Sequence, residues 1–365
     1  RRCLEIRQRE LGTDDASVAD AMSDLAFLYV MQGRYSEAEP LYRRSMAIRE
    51  ARLGQQHDAF ADSLSTLGAL YRSQSRFAEA EPLMKRSLSV YEQRLGPDHP
   101  DVGTALLNLG SLYYDLERYE EAESLYQRSL SVYRSAFGSE HPDVADVLNN
   151  LAVLYEKQHR REDAALLYQE CLGIWQNCFG QKHPAVALAL GNLAWVYKDL
   201  GRSDVAEPLV DQAIAIRDGA GVSPAERGDA YLLRAMLAWD RGDRGDALAD
   251  LRQAMNLAEQ QRGEFSGGEH QRAEAFSSLL APFEKMVEWQ REQGDLSSAI
   301  AAIERARARS LLDELQLAGA DLQAGRSQVE REQLRDQERA LQARIAELEK
   351  QLASSTAAEQ DANQL

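Results

Sequence analysis

VGTALLNLGSLYYDLERYEEAESLYQRSLSVYRSAFGSEHPD, residues 102–143, recurs before and after itself at a spacing of 42 residues. Leu25, Leu67, Leu109, Leu151 and Leu193 keep that spacing, and so do Tyr29, Tyr71, Tyr113, Tyr155 and Tyr197. Two further series do the same: Arg34, Arg76, Arg118, Arg160 and Arg202, and Ala38, Ala80, Ala122, Ala164 and Ala206. A fixed period of this size is the mark of one supersecondary unit stacked on itself. Such a stack buries its core between neighbours and grows without dividing into globules, so 365 residues need not mean two or three globular domains.

Each copy reads as two helices. In the first full copy, Met22, Leu25, Ala26 and Tyr29 stand at i, i+3, i+4 and i+7, an amphipathic stripe that predicts a helix over about 18–31. A turn follows at Gly33, or at Gly201 in the fifth copy. The second helix runs through Ala38, Leu41, Tyr42 and Ser45 and ends in Leu-Gly or Phe-Gly, at Gly54, Gly96, Gly138 and Gly180. Glycine there is expected to adopt the left-handed conformation that closes a helix. The loop that follows carries His99-Pro100, His141-Pro142 or His183-Pro184, with His57-Asp58 in the first copy. Proline disfavours helix at the residue before it and so separates one unit from the next. Small residues fall where helices must approach, at Ala26, Gly68, Gly110, Ala152 and Ala194.

This alternation of small and large positions resembles the tetratricopeptide repeat (TPR). The 42-residue length, LNNLAVLY at 148–155 and LGPDHPDV at 95–102 are similar to the longer TPR unit of kinesin light chains and their bacterial relatives. The resemblance covers 1–217 and implies an all-α, right-handed TPR superhelical solenoid. Residues 1–12 align 42 positions upstream of 43–54, so the array is expected to comprise a half unit and five full ones, and to open on an exposed apolar stacking face. After Arg217 the spacing breaks. Residues 218–228 read as a linker, 229–315 as two divergent TPR units joined by a polar loop at 259–269, and 354–365 as a disordered tail. Leu334, Leu341, Ile345, Leu348 and Leu352 give 316–353 the pattern of a long C-terminal helix or short coiled coil, with Glu338 breaking the seam. ERARARSLLDEL at 304–315 resembles the segment that ends the TPR array of bacterial TPR–CHAT proteins and leads towards their caspase-like CHAT domain.

Composition narrows the function classes. A formal charge of −17 argues against a nucleic-acid-binding surface. No apolar run reaches the ~20 residues that a membrane helix needs. The three cysteines, Cys3, Cys171 and Cys178, form no CxxC pair, which points to a reducing, cytoplasmic setting. A caspase-like site requires a Cys thiolate with a His base. No cysteine lies beyond Cys178, and beyond His183 only His270 remains, so no catalytic constellation is expected. Cys171 takes the place of Ser45, Ser87, Ser129 and Ala213 and reads as a buried small residue. The histidines of successive loops lie one repeat apart, too far to share a ~2 Å Zn–N coordination sphere, so no metal is expected, and nothing calls for a cofactor.

The remaining signal is Asn108, Asn150 and Asn192, with Asn149 beside the second. The matching positions in the first two copies hold Asp24 and Thr66. In peptide-binding TPR proteins, asparagines at the matching position face the concave groove and bond a peptide backbone. A carboxamide donates and accepts at once, which suits an extended main chain. The alternative is that these asparagines bond the backbone of the neighbouring repeat. Residues at turn spacing on the same face would supply specificity: Arg72, Ser111, Tyr114, Asp146, Val153, Glu156, Lys157, Trp195, Lys198 and Asp199. The Arg34-to-Arg202 series reads as structural, bonding across repeats. The expectation is a non-catalytic scaffold for a protein or peptide ligand: the sensor arm of a TPR–CHAT protein, a stand-alone adaptor, or the non-catalytic part of a protease. Self-association through the N-terminal repeat face or the C-terminal helix is a further expected contact.

Overall fold

The structure, a computed structural model, describes residues 2–264 and 279–306. Residues 316–353, expected as a long helix or short coiled coil, the tail at 354–365 and nearly all of 304–315 lie outside the described residues. Among those described there is no strand. The helices are α1 (Arg2–Leu11), α2 (Ala16–Met31), α3 (Tyr35–Leu53), α4 (Asp58–Ser73), α5 (Phe77–Leu95), α6 (Pro100–Asp115) and α7 (Tyr119–Phe137). They continue as α8 (Pro142–Lys157), α9 (Arg161–Phe179), α10 (Pro184–Asp199), α11 (Ser203–Ala220), α12 (Pro224–Arg241), α13 (Arg244–Glu264) and α14 (Ala281–Glu292). A further helix starts at 296 and is described to 306. The chain divides into two compact units, 1–222 and 223–365.

The first unit is an all-α repeat stack. Each first helix packs on the second helix of its own pair and on the second helix of the pair before it. The loop histidines start the first helices. Nδ1 of His57, His99, His141 and His183 accepts the backbone N–H of Ala59, Asp101, Asp143 and Ala185, each at 3.2 Å. One otherwise orphaned helix donor is satisfied in this way at the start of α4, α6, α8 and α10, while the Asp15 carboxylate accepts the Ser17 N–H at the start of α2. Phe137 stacks on His141, ring centroids 4.3 Å apart, and holds the imidazole in place.

The two kinds of turn differ. After each first helix the chain passes through a left-handed residue. This is Gly33 or Gly201 at the ends of the series, but Ser75, Glu117 and His159 in the middle, at φ 57–60°. In the second copy the Arg76 N–H bonds Tyr71 C=O at 2.8 Å and the Ser75 N–H bonds Arg72 C=O at 2.9 Å, a Schellman closure. The glycines that end the second helices are not left-handed in that sense, contrary to the sequence expectation. Gly138 lies at φ 84° and ψ 170°, and Gly54, Gly96 and Gly180 lie close to it. That region is open in practice to glycine alone. This explains why glycine stands at all four of these positions while the left-handed turns accept Ser, Glu and His.

Close approach accounts for Gly110. A methyl group there would meet the Tyr126 ring at 2.8 Å. The serines matching Cys171 each bond a carbonyl of the first helix. Ser45, Ser87 and Ser129 donate to Ala19, Ala61 and Gly103 C=O at 2.8 Å. Cys171 is fully buried, as expected, and burial raises its thiol well above the ordinary range, with Asp146 and Glu170 adding to the rise.

The linker expected at 218–228 is helical except at 221–223. α11 continues to Ala220, and α12 opens on a capping box in which the Ser223 hydroxyl accepts the Glu226 N–H while the Glu226 carboxylate accepts the Ser223 N–H. Ser-Pro-Ala-Glu at 223–226 carries that signature in the sequence, where its Gly-rich surroundings obscured it. The polar loop expected from 259 is still helix up to Glu264. The second unit has its own core of Leu232, Leu251, Met255, Phe283 and Met286. Within it Trp239 and Trp289 lie face to face, 4.2 Å between centroids.

Candidate functional site

The first helices of successive pairs touch one another, α4 with α6 and α6 with α8. Each thus presents a strip of side chains beside the matching strip of its neighbour. The asparagines lie on this wall. Asn192 Nδ2 donates to Asn149 Oδ1 at 3.1 Å, and Asn108 Nδ2 donates to Ser65 Oγ at 3.3 Å. Their partners are therefore side chains of the preceding first helix rather than its backbone, and the bonds form a ladder across units. The ladder does not use up the amides. An –NH₂ group carries two donors and an amide oxygen two acceptor sites, so each of these asparagines retains capacity. Asn150 is half-buried and makes no side-chain hydrogen bond among the described residues.

The other residues named from the sequence fall into two groups on the same wall. Arg72 is ion-paired across units with Asp115. Ser111 accepts the Tyr126 hydroxyl at 3.1 Å, and burial pushes that phenol up to about 12. Tyr114 is half-buried, 6.1 Å from the Tyr119 ring, and burial raises its hydroxyl as well. Further along, Glu156 accepts the Tyr168 hydroxyl at 2.5 Å. Burial raises the Glu156 carboxyl, and the neighbouring charge of Asp199 adds to the rise. Lys157 is exposed, Val153 half-buried, and Asp199 lies 3.5 Å from Arg161. Trp195 is half-buried with the Lys198 ammonium 5.8 Å from its ring. Asp146 is open to solvent, yet desolvation by the surrounding protein raises its carboxyl, with Asp143 next and the Trp175 indole pulling the other way. The wall is therefore mixed: amide, carboxylate, cation and aromatic side by side.

Residues that the sequence reading missed belong to the same columns. Stepping back by 42 from Trp195 passes Val153, Ser111 and Ala69 and arrives at Phe27; the same step back from Lys157 leads through Asp115 and Ser73 to Met31. Phe27 and Met31 are 56% and 70% exposed. The tyrosines of the second helices, Tyr126 and Tyr168, were also missed, because their hydroxyls reach the wall only once the helices pack.

Three of the five arginines expected to bond across repeats do so, whereas Arg34 bonds Glu37 and Gln32 locally and Arg202 lies over the Tyr197 ring. Arg76, Arg118 and Arg160 each donate to a glutamate of the preceding second helix, Glu39, Glu81 and Glu123, at 2.9, 3.2 and 3.1 Å. The same carboxylates accept the hydroxyls of Tyr71, Tyr113 and Tyr155 at 3.0–3.1 Å. Among the described residues no group of three or more His, Cys, Asp or Glu is placed to hold a metal ion, and no helix is long and apolar enough to cross a membrane.

Comparison with known proteins adds to this geometry. The tetratricopeptide-repeat profile matches residues 1–51, 60–135, 101–177 and 143–218. Among solved structures, BtubC (BKLC) from P. vanneervenii is 24% identical with a TM-score of 0.53, covering 63% of this chain and 90% of its own. Aspartyl phosphate phosphatase F from Bacillus subtilis is 13% identical with a TM-score of 0.61, covering 83% of this chain and 73% of its own. A Podosopora anserina protein with nearly identical TPR-like repeats of the kinesin-light-chain kind is 22% identical with a TM-score of 0.49, covering 56% of this chain and 99% of its own. No curated protein matches the sequence.

Proposed function

The chain belongs to the tetratricopeptide-repeat family, and on that premise we propose that it is a non-catalytic scaffold holding an extended segment of a partner protein along its first helices. The observation that carries this reading is the asparagine ladder. Asn108, Asn150 and Asn192 recur one unit apart on one wall, and each keeps amide groups unspent. Packed helices stand on the order of 10 Å apart. An extended peptide covers that distance in about three residues. Successive asparagines can therefore meet main-chain amides about three residues apart in one strand-like ligand, while Arg72, Tyr114, Lys157, Trp195 and Lys198 read its side chains.

A displayed library of extended peptides, selected on the intact chain, provides the ligand for the test. Changing Asn108, Asn150 and Asn192 together to Ala is expected to weaken the selected peptides at least about tenfold, a loss of ~1.4 kcal/mol. Circular dichroism would establish that the variant is folded. Undiminished affinity in a folded triple variant sinks the groove assignment.

Two finer readings share this premise. The likeness of 304–315 to the lead-in of CHAT domains favours a regulatory arm of a bacterial TPR–CHAT protein, and the pairing of α12 with α13 supports 229–315 as further divergent units. A Cys/His caspase-like region encoded after Leu365 is the test of that arm. A stop codon there would favour a stand-alone adaptor.

A further inference from the structure

The repeat carries its own internal control for a second surface. In three units a carboxylate is held in the same way: the Tyr71, Tyr113 or Tyr155 hydroxyl and the Arg76, Arg118 or Arg160 guanidinium both bond a glutamate of the preceding second helix, at 2.9–3.2 Å. Each of these arginines also pairs with an acid three residues on, Glu79, Glu121 or Asp163. The fifth unit keeps the receptor and lacks both acids. Tyr197 and Arg202 are in register, with the guanidinium 4.7 Å from the ring. Ala165 stands where Glu39, Glu81 and Glu123 stand, and Val205 where the local acid stands. Arg202 is exposed and has no carboxylate partner among the described residues. The Tyr197 hydroxyl accepts from Gln169, which leaves its own proton without an acceptor there. Beside the gap, Leu166 is 65% exposed, at a position that is Pro40, Pro82, Ser124 or Pro208 in other units.

We propose that Tyr197 and Arg202 form a receptor for a carboxylate supplied from outside the chain, an acidic side chain of a partner protein with an apolar residue next to it to cover Leu166. The chemistry is fixed by the three filled copies: a phenol and a guanidinium converging on one carboxylate, the charge-assisted arrangement that binds most strongly. The surface is distinct from the asparagine wall, so the two proposals stand or fall separately.

The test uses the intact chain, an Ac-(Glu-Leu)₃-NH₂ peptide as probe, and the Arg Nε–H NMR signal of Arg202 as readout. A165E refills the cradle from within. It is expected to raise the thermal midpoint, shift the Arg202 signal in the absence of peptide, and weaken the peptide about two- to fivefold, the range for a partly exposed ion pair. R202Q is expected to weaken the peptide equally without raising the midpoint. Three results would each overturn the proposal: A165E leaving both midpoint and Arg202 signal unmoved, no saturable shift of Arg202 in the unmodified chain, or one affinity for all three proteins.

Discussion

Glu156 shows how a single residue of the wall is tuned by its neighbours. It is half-buried, and desolvation raises its carboxyl; Asp199 raises it further, and the Tyr168 hydrogen bond only partly offsets this. The folded state therefore binds this proton more tightly than the unfolded chain does. Its contribution to stability is fully present below the unfolded pKa and is lost as pH rises through the folded value. E156Q keeps an oxygen for the Tyr168 hydroxyl and removes the charge. It is expected to raise the urea midpoint at neutral pH and to bring no gain at a pH low enough to protonate the glutamate in both states. The same gain at both pH values would refute the account. Asn108, Asn150 and Asn192 were legible in the sequence because they repeat. The tuning of Glu156 was not, since it depends on Tyr168 of the following helix and Asp199 of the next unit, residues brought close only by packing.

At the level of the element, the two turns set opposite demands on their residues. Glu117 occupies the left-handed region at φ 58°, which costs an L-residue about 1–2 kcal/mol. Gly138 occupies a region that costs a side chain about 1–3 kcal/mol. E117G is therefore expected to stabilise the chain by up to about 1 kcal/mol, the relief being partly cancelled by the greater freedom of glycine in the unfolded state. G138A is expected to destabilise it by about 1–3 kcal/mol. Urea unfolding of both variants checks the signs, and a stabilising G138A would contradict the backbone geometry. The sequence placed glycine at both kinds of turn but could not separate them, because the residue type shows only that φ is free and ψ is invisible to it. Three first-helix starts were better marked, by histidine followed by proline, and the structure adds that the imidazole itself is the cap.

At the scale of the molecule, the first unit is a chain of nearest-neighbour junctions, three of them fastened by a tyrosine, an arginine and a glutamate. E81A removes that fastening between the second and third full repeats. The partly exposed ion pair is worth about 1 kcal/mol or less. Hydrogen exchange is expected to quicken in α5, α6 and α7 while distant helices keep their protection; a uniform rise through the unit would reject the nearest-neighbour description. The 42-residue period by itself determined that 1–217 is an all-α repeat stack and where its paired helices lie. A period is a local rule repeated, and local rules survive in the order of residues. What only the tertiary structure decided are the relations between residues that packing brings together: that Asn192 and Asn108 spend donors on Asn149 and Ser65 of the preceding first helix, that Phe27 and Met31 are exposed, that 218–228 is nearly all helix, and that Ala165 leaves Tyr197 and Arg202 with an unfilled cradle. The bonded pairs on the wall, Glu156 with Tyr168, Asn192 with Asn149 and Asn108 with Ser65, lie 12 to 43 positions apart, and their energies come from burial and hydrogen bonding that exist only once the helices are stacked.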